Sequence, residues 1–91
     1  MEQNLIIEET KEQLLTIADT LYQGGVSDGI VAMNAVIPNL AVIADHIENE
    51  DLKQKLVADA LTPILSAMEN EDGTLMADLI TYELVELLDS L

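Results

Sequence analysis

A chain of 91 residues makes one domain, and at that size folding hides only about 60–65% of the surface the open chain exposes. Eighteen Asp and Glu against three Lys give a net charge of −15, which repels nucleic-acid backbones and anionic membranes alike, so neither is expected as a direct partner. With no Cys, Phe or Trp there is no disulfide framework and no thiolate chemistry, and the core must be built from Leu, Ile, Val, Ala and Met.

The start, Met1-Glu2-Gln3-Asn4, lacks the basic n-region of a secretory signal, and a soluble cytoplasmic protein is the expectation. From about residue 4 to 23, Ile7, Leu14, Ile17, Ala18, Leu21 and Tyr22 recur at helical spacing, with Glu8, Glu9, Glu12 and Asp19 mostly opposite. Gly24-Gly25 stops this helix, because a glycine takes the left-handed conformation that closes a helix end.

Ser27 or Asp28 is the expected cap of a second helix, about 28–48. Its stretch from Gly29 to Ala44 carries no charge and reads as a helix buried on more than one side. It is too short for a membrane span and contains Asn34, Pro38 and Asn39. At 100° per residue, Met33, Val36, Ile37, Leu40, Ile43, Ala44 and Ile47 form the main apolar stripe. Val31, Ala35 and Val42 lie roughly opposite as a second strip, which a monomeric bundle does not need. Pro38 removes the bond to the Asn34 carbonyl and is expected to bend the helix.

A turn at Asn49-Glu50-Asp51 leads to a third helix, about 52–70, with Leu56, Val57, Ala60, Leu61, Ile64, Ala67 and Met68 on one face. Pro63 again falls inside the helix. The surroundings of the two prolines, VAMNAVIPNLAVI and LVADALTPILSAM, are alike, a likeness that either a duplicated helix or the chance resemblance of two short apolar helices produces. After Asn70-Glu71-Asp72-Gly73, with Asp72 as cap, a fourth helix is expected over about 74–90. Nothing alternates as a strand would. The expected fold is all-α, an antiparallel up-and-down four-helix bundle.

Glu69-Asn70-Glu71-Asp72 followed by Leu75, Ala77-Asp78-Leu79 and Tyr82-Glu83-Leu84 resembles a pattern of short, acidic, all-helical proteins of Gram-positive bacteria classed as a domain of unknown function. Gly29, Asn34 and Ile37-Pro38 with Leu40 are similar to its earlier part, and Gly73 and Val85 depart from it. The resemblance implies a small helical bundle and no activity.

Few residues suggest chemistry. By the angular count Glu83 falls inside the apolar face of the fourth helix, between Leu79 and Met76. There it either finds a donor, with Asn34 as its expected buried polar companion or a backbone amide at a helix end or the Pro38 kink, or reaches the bundle edge. His46, the only histidine, stands at a helix end and suits the negative end of the dipole better than a metal site. Asp89-Ser90-Leu91 resembles the Asp-Ser-Leu of acyl carrier proteins, but position argues against that role: in that family the serine opens a helix and more chain follows it, whereas Ser90 falls at the far end of the expected fourth helix, just before Leu91. No nucleophile has a nearby base and no phosphate loop is present, so no enzyme activity, cofactor or metal is expected. The expected function is a protein-interaction module, self-associating as a homodimer or docking a helical partner through Val31, Ala35 and Val42 with Tyr82 or Val85. The alternatives are a chaperone or adaptor for an apolar, basic client segment and an acidic mimic that blocks a nucleic-acid-binding surface.

Overall fold

The structure, a computed structural model, describes residues 2–91, with side-chain surroundings from Leu5 onward. Four helices and, among the described residues, no strand make an antiparallel up-and-down bundle. Helix α1 is Glu2–Tyr22 and α2 is Val26–His46. Helix α3 covers 50–69 and α4 covers 73–89, each interrupted by a wider, π-helical segment: Lys55–Leu61 in α3 and Ile80–Leu84 in α4. A helix of 21 residues is about 31 Å long, close to the 35 Å long axis, so the helices run the length of the molecule.

Local chemistry explains the ends. Gly24 takes φ 93°, its N–H bonds the Leu21 carbonyl and the N–H of Gly25 reaches the Thr20 carbonyl, closing α1 in a Schellman turn. The α3 end repeats that pattern, with Glu71 N–H to Met68 and Asp72 N–H to Ala67, but its left-handed residue is Glu71 at φ 53°. Asn49 caps α3 through the N–H groups of Asp51 and Leu52, so α3 starts a little earlier than expected. Asp72 caps α4 by accepting from Leu75. At α2 the expected cap fails: the helix opens at Val26 after Gly25, no side chain caps it, and Asp28 sits in the first turn instead.

Helix α1 is the hub, packing α2 on one side and α4 on the other, while α4 carries α3. Gly29 lets α2 come close: a Cβ there would meet Leu21 Cγ at 2.7 Å. The core is aliphatic except for Thr10, with Leu14, Met33, Leu40, Leu56, Ile64, Met76, Ile80 and Leu84 fully enclosed.

The π-helical segments have a visible cause in spacing. Leu56-Ala60-Ile64 and Met76-Ile80-Leu84-Leu88 are buried at steps of four, longer than the 3.6-residue repeat, so a regular α-helix would carry the row around its surface. A wider turn advances each residue by less than 100° and keeps the row facing inward. In it Thr62 N–H bonds the Val57 carbonyl and Val85 N–H bonds the Ile80 carbonyl, five residues back. The two segments pack against each other across the α3–α4 contact. Pro63 follows the first at the start of an α-helical stretch, where its missing N–H is harmless, while α2 runs unbroken through Pro38.

This rotation overturns three expectations. Glu83 is exposed, displaced from the core face toward the half-buried Leu79. Val85, expected on the outer surface, turns inward and is only 8% exposed. Val57, expected in the core, stands at the edge and is exposed. Asn34 is also exposed, because the buried side of α2 centres on Met33, Val36 and Leu40 and leaves Asn34 well round the helix.

Candidate functional site

The surface that stands apart is the outside of α2. A bundle helix ordinarily buries one apolar stripe and offers charge to water. Here the inner side, Met33, Val36, Leu40 and Ile43, is buried, yet the outer side between Asp28 and Asp45 is also uncharged. Only 28% of its most apolar 18 residues is buried. Val31 is 70% exposed and Val42 42%, with Ala35 and Pro38 exposed between them. Val31, Ala35, Pro38 and Val42 follow at steps of four, three and four, the spacing of a helix–helix seam. Helix α2 as a whole is longer than the uncharged stretch, and by length and composition alone it is long enough and apolar enough to cross a bilayer.

Of the sequence-expected interaction residues, the structure brings together Val31, Ala35 and Val42. Tyr82 is 66% exposed but lies on α4, beside Lys55, Asp59 and Glu86 of the α3–α4 cleft, and Val85 is in the core. Asn34 and Glu83 stand on different helices at the surface, so they form no buried network. Pro38 belongs to the seam and was legible only as a helix breaker.

Three further places carry polar geometry. His46, the last residue of α2, holds its Nδ1 2.8 Å from the Val42 carbonyl beside a cavity of about 240 Å³ at one end of the bundle. That cavity is walled by Ile6, Ile7, Ile43, Ile47 and Leu52, and among the described residues no three potential metal ligands converge. Tyr22, expected in the core, is half exposed because its hydroxyl donates to the Asp78 carboxylate at 2.5 Å. That hydrogen bond holds the phenol above its usual pKa of 10.0. On α1, Lys11 donates to Asp89 and, at 3.4 Å, to Glu8; the Asp89 bond foremost raises its pKa above 10.5. Ser90, after α4, donates to the Leu87 carbonyl at 2.7 Å and so closes that helix.

A shallow groove between α1 and α2 escaped the sequence reading. Its α1 wall is Glu9, Glu12, Gln13 and Thr16, and its floor is Ile17, Ala32, Ala35 and Val36. The only advance signal was that Glu9 and Glu12 stand one turn apart on α1.

Fold and surface together define a small aliphatic four-helix bundle with an acidic exterior and one uncharged helix face. The chain belongs to the family described as Domain of unknown function (DUF8042), which it matches over residues 4–91. No curated protein and no solved structure matches it.

Proposed function

We propose that the protein is a non-catalytic interaction module that self-associates through the outer face of α2. The observation that carries this reading is the exposed, charge-free seam of Val31, Ala35, Pro38 and Val42 in a chain with a net charge of −15. The seam is also palindromic in register. A second copy running antiparallel, with a two-fold axis between Val36 and Ile37, sets Val31 beside Val42 and Ala35 beside Pro38, as an isologous interface requires. The same register sets Asp28 opposite Asp45 at both ends, so like charges oppose pairing and salt strengthens it. About three turns of helix bury less than the ~800 Å² per partner of a stable interface, which puts the contact in the weak, reversible class. The setting we propose is the cytoplasm of a Gram-positive bacterium, on the strength of the sequence resemblance.

Sedimentation equilibrium over a wide concentration range, at low and high salt, tests the reading. We expect a monomer–dimer equilibrium that tightens with salt and that Val31→Glu abolishes. A monomer at every concentration and both salts would overturn it.

A further inference from the structure

We propose that the groove between α1 and α2 docks a short amphipathic helix of a different protein, one that carries Lys or Arg along one edge. The groove lies on the α1 side of α2, so a contact through the outer seam leaves its wall open. Ala35, at the border, is the one residue they share.

Shape supplies the first argument. The groove encloses about 500 Å³ and is open along its length, with a floor of Ile17, Ala32 and Val36. The alanines leave room for a helix backbone to approach closely while its larger aliphatic side chains fill the space above the floor. From Glu9 to Thr16 the wall rises about 10 Å along the axis of α1, roughly two turns. A guest therefore seats anchors at positions i, i+3 or i+4, and i+7.

Charge supplies the second argument and selects the guest. Glu9 and Glu12 are both exposed and stand one turn apart on a single wall. None of the three lysines neutralises them: Lys11 bonds Glu8 and Asp89 on another side of α1, and Lys53 and Lys55 belong to α3. An edge of Lys or Arg at one-turn spacing meets two carboxylates that have no partner among the described residues. A second copy cannot provide that edge, because its lysines are the same three. Nucleic acid and anionic membranes are repelled by the carboxylates that attract the guest.

The experiment is a calorimetric titration of the whole chain with a capped peptide about 15 residues long, built of Leu, Ala and Lys with leucines on one face and lysines along one edge. Any cationic peptide is drawn to so acidic a protein, so the comparison is between two double variants that remove equal charge at equal spacing. Glu9→Gln with Glu12→Gln is expected to weaken binding about fivefold to tenfold. Glu83→Gln with Glu86→Gln, an exposed i, i+3 pair in the α3–α4 cleft, is expected to change it less than twofold. Ala32→Leu, which fills the floor, is expected to weaken the apolar contribution while leaving the salt dependence in place. Equal losses from the two acidic pairs, no effect of Ala32→Leu, or no measurable binding of the peptide would each overturn the proposal. Val31→Gln separates the two surfaces: it should weaken self-association and leave the peptide affinity within about twofold.

Discussion

Thr10 is the one buried polar side chain among the described residues, fully enclosed in α1, and its hydroxyl finds no hydrogen-bond partner among them. Other threonines on α1 avoid that cost: Thr16 donates to the Glu12 carbonyl and Thr20 to the Thr16 carbonyl, each at 3.1 Å. An unsatisfied buried hydroxyl costs about 1–3 kcal/mol. Valine has the same branched shape, the same stiff χ1 preference in a helix and nearly the same helix propensity, so Thr10→Val removes the polar atom without opening a cavity. Taking the middle of that range, the variant should be more stable by about 1–2 kcal/mol. In a domain of this size each kcal/mol moves Tm by about 4–8 °C. The assay is urea unfolding followed by circular dichroism, at a concentration low enough that self-association does not contribute. Thr10→Ser is the control: it keeps the hydroxyl, loses a buried methyl and should cost about 1 kcal/mol or more. Should Thr10→Val destabilise by 1 kcal/mol or more with an unchanged m-value, on the order of the bond it would then have broken, the hydroxyl is satisfied in the native state and the reasoning fails.

Glu71→Gly should stabilise by about 0.5–1 kcal/mol, because the left-handed residue that closes α3 carries a side chain where glycine is unstrained; a loss of stability would mean that the Glu71 side chain matters more than its φ of 53°. Two raised pKa values predict the alkaline behaviour. Both Lys11 and Tyr22 hold their protons more tightly when folded, so their contribution is intact below the ordinary values of 10.5 and 10.0 and is lost as pH rises through the folded values. In an absorbance titration, Tyr22→Phe should therefore remove a phenolate component that ionises above pH 10.0, and loss of an earlier component instead would contradict the Tyr22–Asp78 bond. Added salt should raise Tm, since 18 acidic residues face three lysines; a fall in Tm on going from low to high salt would show that attractive pairs such as Lys11–Asp89 outweigh the repulsion.

The sequence by itself determined four helices, their order and most of their ends. Those are local properties: the 3.6-residue recurrence of apolar residues, a glycine at Gly24 able to take positive φ, and an aspartate at Asp72 able to accept an amide proton. It also determined that α2 has an uncharged outer strip, since Val31, Ala35 and Val42 lie opposite Met33 and Leu40 on any regular helix. Where α2 stays regular, that reading holds in the structure. Tertiary packing decided the rest. The rows Leu56-Ala60-Ile64 and Met76-Ile80-Leu84-Leu88 step by four, and only the demand that each row face a neighbouring helix makes the backbone widen to suit it. That adjustment carried Glu83 out and Val85 in, and a fixed 100° per residue has no means of anticipating it. Tyr22 meets Asp78 across 56 positions of sequence, and Glu9 and Glu12 face Ala32 and Ala35 across a turn. Such pairs exist only once the helices are laid side by side, because periodicity fixes which way a residue points from its own axis and says nothing about what stands opposite.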